Sequence, residues 1–277
     1  MKFTLSHFVA LAILIMTGQA SAGTLLFLDN YNTAALGPTA FNDAANLTAD
    51  QSGTAATKNY TISLGGGWEG AFQRGNDGAW LMYAGTGNFG STNMAGSLNY
   101  DFAAAANALG SALEISFTMS VTNGVDPSDW TSFTIGTLQN QFVNDSSVGF
   151  SSLFRDNGGT QQFSDGAGIG SSATFADGNL ITFRISDASG TGSAFNSDGA
   201  TDIVAMYISG TLTNTFAGLN LTEADQYVSF NARNTVAHID NLSISAVPEP
   251  GSLAIGVGGL LAAVALRRRV ASGSPIA

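Results

Sequence analysis

The sequence predicts an all-β fold, a two-sheet sandwich, and three observations carry that prediction. About a dozen short segments alternate apolar and polar residues with period two, the spacing of a strand with one buried face. Clusters of Gly, Asn and Asp separate them, and these residues supply the left-handed conformations that tight turns need. The formers of helix surfaces are scarce. Between residues 23 and 246 the only lysine is Lys58, and the only glutamates are Glu69, Glu114 and Glu223.

The segments follow in order. Residues 24–28 (TLLFL) form a short apolar strand stopped by Asp29-Asn30. Residues 59–64 alternate until Gly65-Gly66-Gly67, and residues 79–84 follow the turn Gly75-Asn76-Asp77-Gly78. Residues 96–102 put Leu98, Tyr100 and Phe102 on one face. Residues 113–121 repeat the pattern over five apolar positions and make the cleanest strand, with one buried and one polar face. Further strands are expected over 130–138, 147–154, 180–186, 203–209, 227–232 and 237–245. Two short helices are expected: 103–109, ended by Gly110, and 221–226, opened by Thr222 as a cap. No linker divides this body, so it is read as one domain over residues 23–246.

Charge and cysteine content exclude several functions. The body holds five basic residues (Lys58, Arg74, Arg155, Arg184 and Arg233) against 19 acidic ones, a net of −14. That balance disfavours nucleic acid and anionic lipid, both of which need a positive face. There is no cysteine, which excludes disulfides and thiolate metal sites.

Both ends read as membrane signals. Lys2, the apolar run 8–16 and Ala20-Ser21-Ala22 have the order of a secretory signal peptide over residues 1–22, with cleavage expected between Ala22 and Gly23. At the other end, Val247-Pro248-Glu249-Pro250 leads into an apolar run over 253–266, which stops at Arg267-Arg268-Arg269. As a helix, those 14 residues reach only about 21 Å, short of a hydrocarbon core of about 30 Å. The arginines belong on the cytoplasmic side.

This three-part tail, residues 247–269, resembles the PEP-CTERM sorting signal of Gram-negative bacteria. The resemblance implies an exosortase as processing partner, transient insertion in the cytoplasmic membrane, and delivery to the cell surface or extracellular matrix. It also implies an association with exopolysaccharide production. Residues 270–277 depart from the pattern by continuing past the basic cluster.

The body resembles the concanavalin A-like (laminin-G-like) jelly roll. Three stretches carry the likeness: 177–185, 202–208 and 238–244. The first two look like adjacent long strands, and the third like a closing strand that returns beside the first. Residues 50–54 with Tyr60 resemble exported bacterial relatives that carry such tails. The fold implies a structural or carbohydrate-associating protein, with a secreted glycan-active enzyme, hydrolase or lyase, as the alternative.

No catalytic residue is assigned. Retaining glycosidases need two carboxylates about 5 to 5.5 Å apart, and laminarinase-type enzymes of this fold carry them as Glu-x-Asp-x-x-Glu. Neither Glu69, Glu114 nor Glu223 begins that motif. His238 shares a strand face with Asp240, without an evident serine to complete a triad. No cofactor is required, although calcium prefers Asp and carbonyl oxygens on loops. Asp187, Asp198 and Asp202 are its candidates, and turn formation is the competing explanation for them. Trp68, Trp80 and Trp130 are candidates for stacking on sugar rings, with burial as the alternative.

Overall fold

The computed structural model describes residues 23–31, 51–53, 60–64, 70–75, 78–83, 93–109, 112–122, 129–138, 147–155, 157–188, 194–196, 199, 201–233 and 235–247. The expected signal peptide, the sorting motif from Pro248 onward, Arg267-Arg268-Arg269 and Asp198 lie outside them. Among the described residues, no helix is long and apolar enough to cross a membrane.

Among the described residues, sixteen strands and one helix make up the body. In chain order they are β1 (Thr24–Asp29), β2 (Gln51–Ser52), β3 (Tyr60–Leu64), β4 (Gly70–Gly75), β5 (Gly78–Tyr83) and β6 (Asn93–Leu98). Then come α1 (Phe102–Leu109), β7 (Ala112–Thr122), β8 (Trp130–Gly136), β9 (Val148–Arg155), β10 (Gly159–Ser164) and β11 (Ala167–Thr174). The last are β12 (Asn179–Asp187), β13 (Asp202–Ile208), β14 (Thr211–Leu219), β15 (Tyr227–Arg233) and β16 (Val236–Val247).

These strands form two antiparallel sheets, an all-β jelly-roll sandwich as expected. Sheet A runs β14-β13-β12-β7-β16-β1-β2, with β5 and β4 added beside β16. Sheet B runs β11-β10-β9-β8-β15-β6-β3. The two expected strand relations are present. β12 pairs β13 from Ile181↔Ile208 to Asp187↔Asp202. β16 closes the sheet against β1, from Thr24↔Ala246 to Asp29↔Leu242.

β16 serves two partners on one edge. β5 pairs its first half at Ala237–Ile239, and β1 its second half. The hand-over coincides with a register shift between Asp240 and Ser243. There Asn241 takes φ 55°, and the Asp240 carboxylate accepts both its N–H and its side-chain amide, each at 2.8 Å. A short amide side chain that bonds locally is the residue type that tolerates this conformation.

Phenylalanines join the sheets. Phe133 of sheet B stacks on Phe183 of sheet A, with centroids 4.7 Å apart and planes 10° apart. Phe117 of sheet A meets Phe230 of sheet B edge-on at 5.0 Å. Phe150 meets Phe183 edge-on at 5.5 Å. All five are fully buried, which is what period-two alternation on β7, β8, β9, β12 and β15 provides.

Three differences from the sequence reading have physical causes. Phe102 is not the end of a strand but the first residue of α1. Asp101 caps that helix by accepting the Ala104 N–H at 2.9 Å. Residues 221–226 are a turn instead of a helix. The Asp225 carboxylate takes the Thr222 N–H at 2.8 Å and its hydroxyl at 3.1 Å, and Thr222 bridges to Asn196. Strands β2, β4, β10, β11 and β14 were not foreseen. Their glycine, glutamine and threonine content weakens the apolar alternation on which strand assignment rests.

A polar knot ties β1 to β3 within the core. The Tyr31 and Tyr60 hydroxyls lie 2.6 Å apart, and the Tyr60 hydroxyl donates to Asp29 Oδ2 at 3.3 Å. The Tyr31 N–H donates to Asp29 Oδ1. Burial raises the Tyr60 phenol well above its ordinary value, and the adjacent Tyr31 and Asp29 push it the same way. Tyr60→Phe removes the central hydroxyl of this knot. The expected loss is about 1–3 kcal/mol, the cost of stranding a buried partner, read as a lower midpoint in urea denaturation.

Candidate functional site

The face of sheet B that points away from the core carries a set of buried serine, threonine and asparagine side chains. Inward residues of β8 and β15 (Phe133, Ile135, Val228 and Phe230) belong to the main core. The alternate residues point the other way. Trp130, Leu153 and Phe163 form a separate apolar cluster there.

The register sorts this face into rows. In the first, Trp130 has Arg233 opposite it on β15 and Arg155 opposite it on β9. In the next, Ser132 lies between Asn231 and Leu153. In the third, Thr134 lies between Ser229 and Ser151, and Ser97 follows Ser229 across β6. The Ser97 and Ser229 hydroxyls are 2.6 Å apart. Asn231 Nδ2 donates to Thr134 Oγ1 at 3.2 Å.

Exposure grades along the rows. Ser97, Ser132, Thr134, Ser151, Ser229 and Asn231 are closed to water, Trp130 is 8% exposed, Arg155 is half-buried and Arg233 is exposed. Ser132 Oγ and Asn231 Oδ1 are buried without a hydrogen-bond partner. Such groups carry a desolvation cost of about 1–3 kcal/mol each. One Arg155 N–H is directed to Gln161 Oε1 at 3.1 Å. Of these rows, Arg233 and part of Arg155 reach solvent, while the Ser132 hydroxyl and the Asn231 amide oxygen stay closed to it.

The residues singled out from sequence fall elsewhere. Asp187 and Asp202 are brought together as directly opposed residues of β12 and β13, both buried. Asp202 Oδ2 accepts the Leu221 N–H at 2.6 Å. Calcium takes six to eight oxygens, and among the described residues no group of three acidic or histidine side chains gathers to supply them. Glu114 lies on the outer face of sheet A opposite Arg184. Glu223 accepts from Asn107 Nδ2 at 2.8 Å. These two glutamates therefore sit on different elements with different partners. His238 lies opposite Ser120 and Trp80, and the Asp240 carboxylate is occupied by Asn241. Gly23 and Val247 flank the end of the β1–β16 pair, and a Cβ on Gly23 would stand 2.7 Å from Val247 Cγ1.

Trp130 was a sequence candidate, but the rows around it were not foreseen. Arg155 and Arg233 lie 78 residues apart in sequence and meet Trp130 only through the order β9-β8-β15.

No family model matches the chain, and no curated protein matches it. Solved structures with a similar fold include a sialidase, 8% identical, matched over 68% of this chain and 17% of that one with a TM-score of 0.43. A carbohydrate esterase from the Shiga toxin-encoding bacteriophage phi24B is 13% identical, over 68% and 90% of the two chains, TM-score 0.40. The VIP36 exoplasmic/lumenal domain, in its calcium- and Man3GlcNAc-bound form, is 9% identical, over 68% and 86%, TM-score 0.45. The chain thus spans less than a fifth of the sialidase. What this body does must be read from its own residues.

Asp225 gives a test of the loop architecture at the other end of sheet B. Burial raises its carboxyl above the ordinary value, against the lowering effect of its Thr222 bonds, and Asp165 adds a smaller upward push. The folded state therefore holds this proton more tightly than the unfolded chain. The resulting stability is present below about pH 4 and is lost as pH rises through the raised value. Asp225→Asn keeps an acceptor for Thr222 and removes the charge. Its melting temperature should fall less than that of the parent between about pH 4 and pH 7, as thermal melts across that range will show.

Proposed function

We propose that this is an exported surface or matrix protein whose sandwich associates with carbohydrate. The observation that carries the carbohydrate reading is the outer face of sheet B. Trp130, Leu153 and Phe163 form an apolar cluster outside the core, bordered by Ser132 and Asn231 with unmatched polar atoms. Sugars present C–H faces for aromatic contact and hydroxyls for the exposed Arg233 guanidinium on the strand beside Trp130. No carboxylate pair among the described residues stands on this face.

A glycan array probed with the full chain in nonionic detergent tests this reading, with a hydrolase and lyase screen beside it. Trp130→Ala should weaken array binding by about thirtyfold, the ~2 kcal/mol of a hot-spot tryptophan, with the β-sheet circular dichroism retained. Turnover of any bound glycan would replace the binding reading with the enzymatic one.

Export rests on the sequence of the two ends. A signal peptide cleaved between Ala22 and Gly23, and a tail processed by an exosortase near Val247-Pro248-Glu249-Pro250, would release the body from a cytoplasmic-membrane intermediate. β16 ends at Val247, so the motif follows the last strand directly. Replacing Pro248, Glu249 and Pro250 by alanine should leave the protein in the cytoplasmic membrane with its tail intact, as cell fractionation and intact-mass measurement will show. Unchanged maturation would make residues 253–266 a plain anchor.

A further inference from the structure

Resting on the reading of residues 253–266 as a membrane segment, we propose that the sandwich stands upright on the lipid surface. Its Gly23–Val247 end faces the membrane and its Trp130–Arg233 end is turned outward. The strand registers sort the body into these two ends. β1 begins beside the finish of β16, with Thr24 opposite Ala246. A Cβ on Gly23 would stand 2.7 Å from both Ala246 O and Val247 Cγ1, so glycine is what lets the two chain ends lie this close. Val247 is also opposite Ala112, where β7 begins. At the other end, β16 begins at Val236, opposite Thr122. β15 finishes there at Arg233, opposite Trp130.

β1 runs away from the Gly23–Val247 end and β16 returns to it. Both apolar runs, 8–16 and 253–266, therefore join the body at one end. Residues 248–252 are all that separates Val247 from the second run. Five residues reach at most about 18 Å, whereas the 12 residues of β16 rise roughly 40 Å. The short linker keeps one end at the membrane, and charge decides how the rest is held. The body carries a net of −14, and an anionic lipid surface repels it. That repulsion fades within about 8 Å at physiological salt. Lying flat would hold a whole sheet face in this field, while standing holds only one end in it. Nor does the outer face of sheet A offer lipid a broad apolar surface. Glu114, Ser116 and Thr118 of β7 face outward there beside Asp240 and Ser243 of β16. The exposed apolar exceptions, Leu180 and Leu212, lie at the far end.

The test uses single-cysteine variants, since the chain has no cysteine of its own. The full chain is reconstituted in vesicles of phosphatidylethanolamine and phosphatidylglycerol whose headgroups carry a nitroxide quencher. A fluorophore is attached at Ala224→Cys, Leu212→Cys or Thr174→Cys, all exposed positions at which the variants should melt with the parent. Ala224 lies in the turn between β14 and β15, at the Gly23–Val247 end. Leu212 on sheet A and Thr174 on sheet B lie at the far end. The Ala224 label should lose most of its emission, while the other two keep theirs. Quenching at Leu212 as strong as at Ala224 would lay the body on sheet A, and the same at Thr174 would lay it on sheet B. Either result overturns the upright orientation and leaves the membrane tether standing. Full emission from all three positions on vesicle-bound chain would overturn the approach of this end to lipid. A chain that fails to float with the vesicles would remove the membrane reading itself.

Discussion

The stack of Phe133 on Phe183 is the contact around which this sandwich is organised. Each ring comes from a different sheet, and Phe117, Phe150 and Phe230 close around the pair. With no disulfide to constrain the chain, apolar burial between the sheets must offset the conformational entropy of ordering it. The central strands of sheet B then have their register pinned, because a one-residue slip would send every phenylalanine to the opposite face. That same register decides which residues face away from the core. The rows of Trp130, Ser132 and Thr134 are thus a consequence of where Phe133 and Ile135 must point.

Polar groups are treated differently in two of the places where they are buried. At the junction of β1 and β3, Asp29, Tyr31 and Tyr60 form a closed set of bonds. Such a set fixes geometry without leaving a cost. On the outer face of sheet B, the Ser97–Ser229 pair and the Asn231–Thr134 bond are satisfied, while Ser132 Oγ and Asn231 Oδ1 are not. Those two unmet groups carry a desolvation cost on this face, as Asn30, Asn107, Gln162, Asp202 and His238 do elsewhere.

Much of the fold was legible in the sequence because it lies in local alternation. Residues 113–121 declare one buried face, and β7 buries Leu113, Ile115, Phe117, Met119 and Val121. The two runs that become β12 and β13 were legible from alternation, and their pairing was implied by the resemblance to the jelly roll. What was illegible depends on contacts distant in sequence. β10 carries Gln162 on its core side, where Nε2 donates to Ser152 Oγ at 3.1 Å; a buried glutamine cannot be told from a surface one by pattern alone. Residues 221–226 had the cap of a helix, but the Asp225 carboxylate claimed the Thr222 amide. The candidate site was the least legible. Arg155, Trp130 and Arg233 look like three unrelated surface residues until the strand order sets them side by side.

The position of β16 has a consequence for how the molecule comes into being. This strand is the last of the body to be synthesised, and it lies between β7 on one side and β1 with β5 on the other. Thr24 therefore waits for Ala246, across nearly the whole chain. Contacts this remote in sequence make folding slow. Until β16 arrives, the edges of β1 and β7 stand open as templates for strands of other chains. The preponderance of acidic residues acquires a second meaning here: mutual repulsion between half-made copies holds them apart during the interval when the sheet is still missing its centre.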